Sequence, residues 1–290
     1  MGESLFSRVI METPPSIYIK GLSLVTLMAM ALLGLLEMAG NHLGYSKFSD
    51  FSSQNRPKMS SRAGMLLLYT PAFLAGLASL ILLVPHSNDL RFLFLTLALT
   101  IHFFKRVYEV LFIHKYSGKM VIDSAILISF SYVFSTVNMI YCNYKLYPNT
   151  IIQGRTTNNI DNDQYYSTTP TFIDMKYFGA VLFLVGTSGN FYHHCLLSQL
   201  RKKGDTKESS SSSYKIPKGG LFGLVICPHY LFEILGYVGI SLISQTLYAY
   251  SFTLGTIFYL VGRSYATRNW YLSKFEDFPK HVKALVPFIF

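Results

Sequence analysis

The chain has 290 residues and a formal net charge of +10, with 51% hydrophobic and only 14% charged residues and a mean hydropathy of +0.33. That balance fits a membrane protein better than one or two soluble domains. The basic residues stand in short stretches between apolar runs, so the charge reads as membrane topology and cofactor contact, with no nucleic-acid partner.

A spanning helix needs about 20 mostly apolar residues, and such runs lie near 17–39, 63–84, 91–113, 122–142, 176–198, 219–244 and 246–268. The first is longer than a signal-peptide core and lacks a small-residue cleavage site, so it reads as the first span. The expectation is an all-α polytopic membrane protein, about seven transmembrane helices enclosing a cavity for cofactor and substrate. It divides into an N-terminal transmembrane part, 1–175, with about four helices and a loop, and a C-terminal part, 176–290, with about three.

The loops at 40–62, 114–121 and 199–218 are basic, whereas 85–90 has no Lys or Arg and 143–175 has only Lys145 and Arg155. The positive-inside rule therefore predicts a lumenal N-terminus and a cytosolic C-terminus. The polar stretch 143–170 is expected to be a lumenal loop without a fold of its own, and the serine tract 209–213 a low-complexity insert.

Ionisable residues at membrane depth cost about 3 kcal/mol each unless they face a bundle interior, which makes them functional candidates. The third run embeds His102, Lys105, Arg106 and Glu109, of which His102, Arg106 and Glu109 share one helical face. An Arg106–Glu109 ion pair with a snorkelling Lys105 is the structural alternative. The fifth run ends in Gly189-Asn190-Phe191-Tyr192-His193-His194, just before Arg201, Lys202 and Lys203. Adjacent histidines point about 100° apart and do not easily share an ion. With Cys142, Cys195 and Cys227 forming no CxxC pair, neither a metal nor a disulfide framework is indicated.

The sixth run carries Cys227-Pro228-His229-Tyr230-Leu231-Phe232-Glu233, where Pro228 should break or kink the helix beside a cavity. Tyr230 is either a packing aromatic or a proton donor. The last run ends in GRSYATRNWY, with Arg263 and Arg268 suited to phosphates or to simple anchoring. No G-x-G-x-x-G or Walker signature occurs, so a nucleotide would have to bind within the helical bundle.

The segments NFYHHCLLSQLRK, YKIPKGGLF, CPHYLFE, GRSYATRNWYL and KFEDFPKHVKALVPFIF together resemble the C-terminal domain of the steroid 5-alpha-reductase family. RAGMLLLYTPAF and HFFKRVYEVLFIHKYSG extend the likeness, the second being similar also to very-long-chain enoyl-CoA reductases. The resemblance implies a multi-pass endoplasmic reticulum membrane enzyme. Such an enzyme uses NADPH to reduce a C=C bond conjugated to a carbonyl in a small-molecule lipid, here a 3-oxo-4-ene steroid, without an obligate protein partner.

Carried over by motif, Asn190, Arg201, Tyr214, His229, Glu233, Arg263 and Tyr271 should line the cofactor site. Tyr230 matches a proposed proton donor, and Lys105 a basic partner for it. The two steroid-carbonyl positions of the family correspond to Tyr69 and Phe103, which leaves Tyr69 as the hydroxyl donor. The alternatives are a trans-2-enoyl-CoA reductase of fatty-acid elongation and a non-catalytic membrane lipid-binding protein.

Overall fold

The structure, a computed structural model, describes residues 9–11, 17–48, 56–116, 118–157, 173–200 and 214–290. Seven α-helices lie among the described residues: α1 (Ile17–Met38), α2 (Ser61–Leu82), α3 (Leu90–Tyr108), α4 (Ile122–Thr157), α5 (Lys176–Gln199), α6 (Pro228–Ser244) and α7 (Leu247–Lys274). Three of the stretches, Ile17–Met38, Ser61–His86 and Ile122–Lys145, are long and apolar enough to cross a membrane by length and composition. Of the other helices, α6 has only 17 residues, and α3, α5 and α7 carry polar groups that face inward, such as Arg91, Lys105, Asn190 and Arg263, all buried.

Two departures from the expected helices have local causes. The run from 219 begins only a single 3-10 turn, Gly220–Gly223, and no α-helix: Gly219 and Gly220 adopt φ of +87° and +51°, which turns the chain, and a Cβ on Gly220 would lie 2.7 Å from His193 Nε2. The helix starts only at Pro228, whose missing N–H costs nothing at a first helical position, so the proline opens α6 and kinks nothing. At the other end α4 continues to Thr157, into the stretch expected to be a loop, since a polar composition does not forbid a helix that outruns an apolar span. The rest of that loop and the serine tract lie outside the described residues.

The chain also contains a small antiparallel ribbon that helical periodicity does not reveal. β1 (Lys58–Ser60) pairs with β2 (Lys119–Val121) in the register Lys58↔Val121, Met59↔Met120, Ser60↔Lys119. It ties the starts of α2 and α4 together, and Val121 N donates to Gly44 O (2.9 Å), seating the loop after α1 on the same end.

Packing follows small residues. α5 runs along α6 and α1 along α7, while α2 lies against both α3 and α4. Gly179 faces Gly239 so closely that an added Cβ would meet its carbonyl oxygen at 2.7 Å, and a Cβ on Gly262 of α7 would overlap the Gly34 carbonyl of α1. One apolar core, including Phe92, Leu95, Met139, Phe183, Ile240 and Tyr248, joins the helices; another, with Leu68, Ala72, Phe103 and Met120, lies under α2. A third, with Ile226, Cys227, Tyr271, Phe278 and Leu285, is roofed by the C-terminal tail, where Arg268 Nε donates to Val282 O (2.7 Å).

Because the α1/α7 contact is backbone against backbone, Gly262→Val should cost about 1–3 kcal/mol by overpacking. The expected result is a lower thermal midpoint of the detergent-solubilised protein, with Gly223→Val, where an added Cβ meets nothing within 4 Å, as the control.

Candidate active site

A cavity of about 400 Å³ opens where the basic loops converge; its lining includes Tyr45 and Lys47 after α1, Tyr69 of α2, Arg106 and Glu109, His114, Lys115, Tyr116, Gly118 and Lys119, His194 of α5, Tyr214 and Lys215, the start of α6, and Arg263, Thr267 and Tyr271 of α7. The lining draws on both expected parts of the chain. Six cations, Lys47, Arg106, Lys115, Lys119, Lys215 and Arg263, face one carboxylate, Glu109. Such a wall suits a polyanion.

Its two arginines, Arg263 buried and Arg106 partly so, are already committed. Arg263, 1% exposed, donates from Nη1 to Glu37 Oε1 and Oε2 (2.7 and 2.9 Å) and from Nη2 to Tyr45 O (3.2 Å), and lies between the rings of Tyr45 and Phe48 at 4.1 and 4.3 Å. Glu37 is completed by Leu43 N (3.1 Å) and His42 Nδ1 (2.7 Å). Arg263, expected to grip phosphate, therefore shapes the wall chiefly through this node.

Arg106 donates from Nη1 to Glu109 Oε2 (2.9 Å) and from Nη2 to Tyr69 Oη (2.6 Å). Glu109 opens a π turn, Glu109–Ile113, which swings the chain so that Glu109 and His114 both reach the cavity. Tyr69 is placed by a proline device. Pro71 has no N–H for the Leu67 carbonyl, and Ser129 of α4 supplies the missing donor at 2.7 Å. The Tyr69 ring stacks on Tyr132 with centroids 5.7 Å apart.

Behind the wall, α3, α5 and α6 share a second polar layer. Lys105 Nζ donates to Asn190 Oδ1 and lies 3.4 Å from Glu109 Oε1, while Asn190 Nδ2 donates to His229 O (2.7 Å) and more weakly to Glu233 Oε2 (3.4 Å). Thus Lys105, Asn190 and Glu233 come together but are not part of the lining. The expected pairing of Lys105 with Tyr230 is replaced by these partners; Tyr230 lines the cavity with its ring 4.2 Å from that of His229. Tyr69, Tyr214, His229, Arg263 and Tyr271 also line it, and Arg201 lies outside the described residues.

Several lining residues escaped sequence reasoning. Lys47 read as a topology charge, yet its ammonium lies 4.9 Å from the Tyr271 ring and 5.4 Å from that of Trp270, and burial there pushes its pKa down to about 8. Burial and the neighbouring His194 and Arg106 hold His114 down to about 3, so it is neutral. Glu37 did leave a signal, being the one acid in the apolar helix α1.

His193 and His194 divide as their angular separation predicts. His193 accepts from Leu221 N (3.1 Å) and braces the turn before α6, whereas His194 lines the cavity. Glu109, His114 and His194 bring ligand atoms within 4.8 Å of one another. However, Arg106 Nη1 lies 2.9 Å from Glu109 Oε2 and 3.0 Å from His194 Nδ1, so a guanidinium fills the place a cation would take.

The wall fits a phosphorylated dinucleotide in its donors as well as its charge. Arg106 Nε and His229 Nδ1 are buried without a hydrogen-bond partner among the described residues, an arrangement that costs about 1–3 kcal/mol per group unless a ligand completes it.

A family model described as 3-oxo-5-alpha-steroid 4-dehydrogenase matches residues 136–290, more than half of the chain. The chain is 42% identical to a steroid 5-alpha-reductase of Gossypium hirsutum over 113 residues, 39% of this chain and 42% of that protein. It is 40% identical to 3-oxo-5-alpha-steroid 4-dehydrogenase 1 of Macaca fascicularis over 112 residues, 39% of this chain and 40% of that one. These stretches span about two fifths of the relatives' length. A longer match, 28% identical over 274 residues, covers 91% of this chain and 94% of 3-oxo-5-alpha-steroid 4-dehydrogenase 2 of Homo sapiens.

Removing one member of a buried ion pair leaves an uncompensated charge at a cost of about 3–5 kcal/mol. Glu37→Ala is therefore expected to lower the chemical-denaturation midpoint far more than Glu276→Ala, at an exposed acid of the tail.

Proposed function

Since the chain belongs to the 3-oxo-5-alpha-steroid 4-dehydrogenase family, we propose that it is an NADPH-dependent oxidoreductase that reduces the C=C bond of a 3-oxo-4-ene steroid within the endoplasmic reticulum membrane. The observation that carries the reading is one cavity with a cationic, aromatic mouth and an arginine-bound phenol, Tyr69, in its wall. Lys47, Lys119 and Lys215 are the charges for phosphates, joined by Arg201 of the loop that carries Lys215. Tyr214 and Tyr271 offer ring faces, and His229 Nδ1 a polar contact for the dinucleotide.

When bound, NADPH supplies a hydride. The carbon β to the substrate carbonyl receives that electron pair, the π electrons move to the carbonyl oxygen, and the α carbon takes a proton that comes ultimately from solvent. Tyr69 stabilises the charge growing on oxygen by hydrogen bonding, and Tyr230 is the hydroxyl for proton delivery. Lys105, Asn190 and Glu233 hold the cofactor wall from behind. The basic loops that carry the cavity's cations then face the cytosol, with the N-terminus lumenal and seven helices in the membrane.

The direct test is NADPH consumption by purified protein offered progesterone, a 3-oxo-4-ene steroid, or a trans-2-enoyl-CoA. Steroid-dependent oxidation falling about 100-fold in Tyr69→Phe is expected. Turnover only with the thioester would replace the steroid by an acyl substrate, and turnover with neither, with NADPH unbound, would leave a lipid-binding protein.

Lys47 adds a pH signature. Its ammonium is charged below about pH 8 and neutral above it in the free protein, and phosphate favours the charged form. NADPH affinity should therefore be full below that pH and weaken as pH rises through it. Lys47→Arg should move the weakening beyond about pH 10, since a guanidinium stays protonated there; an affinity flat from pH 7 to about 10 in the wild type would refute the assignment.

A further inference from the structure

We propose that Arg106 is the positioning residue that makes Tyr69 a carbonyl-binding donor, with Glu109 as the brace that aims it; this rests on the enone-reductase reading. A guanidinium has only donors. The 2.6 Å contact from Arg106 Nη2 therefore makes Tyr69 Oη the acceptor, so the phenol's own hydrogen must point elsewhere. Among the described residues Tyr69 Oη has no second hydrogen-bond partner, and Tyr69 lines the cavity. A phenol that accepts a charge-assisted bond is polarised into a better donor. The acceptor chemistry it selects is a neutral ketone or acyl oxygen that gains negative charge during reaction.

The other atoms show that this arrangement is built and held. The ring is fixed by Tyr132 on one side, with Arg106 Cζ 4.7 Å from its centroid, and the helical turn beneath it by Ser129. Arg106 cannot swing away, because Nη1 is bound to the fully buried Glu109, which is in turn held by His194 at 3.0 Å and Lys105 at 3.4 Å. Nearby Phe103 carries no hydroxyl, so the Arg106–Tyr69 pair does the work of a two-donor site with one donor and its support.

A double-mutant cycle distinguishes positioning from simple scaffolding. Wild type, Arg106→Lys, Tyr69→Phe and the double variant are assayed for kcat and KM with progesterone, and for NADPH affinity by fluorescence. At saturating NADPH, Arg106→Lys should lower kcat about tenfold or more in the wild-type background but less than about twofold in Tyr69→Phe, with any change in NADPH affinity the same in both backgrounds. Equal losses in both backgrounds, or a loss confined to NADPH affinity, would overturn the inference. Should Arg106→Lys not fold, Glu109→Gln enters the same cycle with the same expectation. A wild type inert toward progesterone and enoyl-CoA refutes the parent reading, and this one with it, whereas an active wild type with additive losses refutes this one alone.

Discussion

The pairing of Arg263 with Glu37 is the contact on which the cavity's architecture rests. Both residues are 1% exposed, and burying two charges is tolerable only when each finds full compensation. That requirement forces α1 and α7 together at Gly34 and Gly262, where no side chain intervenes. It also recruits the loop after α1, whose Leu43 amide and His42 ring complete the carboxylate while Tyr45 and Phe48 sandwich the guanidinium. The loop so fixed delivers Tyr45 and Lys47 to the cavity wall.

Polar groups inside this bundle come in two kinds, and the difference is whether their partners are internal. Arg263, Lys105, Asn190 and Glu233 satisfy one another or close neighbours, and they give helices that lack apolar bulk a reason to associate. Lys47, His229 Nδ1 and Arg106 Nε sit at the wall with charge or hydrogen-bonding capacity in reserve. A site for an anionic ligand needs both kinds, since donors are useful to a ligand only when a second layer prevents them from collapsing on one another.

Local chain geometry does much of the aiming. Pro71 removes one hydrogen bond from α2 and Ser129 restores it from α4, so the turn bearing Tyr69 is tied to a neighbouring helix. The π turn after α3 adds a residue to the helical cycle and brings Glu109 and His114 to the same space. The paired left-handed glycines at 219 and 220 let the chain pass His193 and enter α6 at its proline.

Hydropathy and charge were sufficient to mark the helices, because lipid imposes a length and a composition that survive in one dimension. The embedded polar residues of α3, α5, α6 and α7 were legible for the same reason, and motif resemblance singled out Tyr69, His229, Tyr230 and Tyr271, which lie along the cavity. Which of them would face the cavity was not. Asn190 and Glu233 retreat behind it, Arg263 is taken by an acid 226 positions away, and Lys105 bonds to Asn190 instead of meeting Tyr230. Lys47 reads as a topology charge until the rings of Trp270 and Tyr271 are placed beneath it. The sequence alone determined which residues are too polar for lipid, since that is a property of each side chain; only the tertiary structure decided their partners, since hydrogen bonds and ion pairs depend on distances that close across helices far apart in the chain.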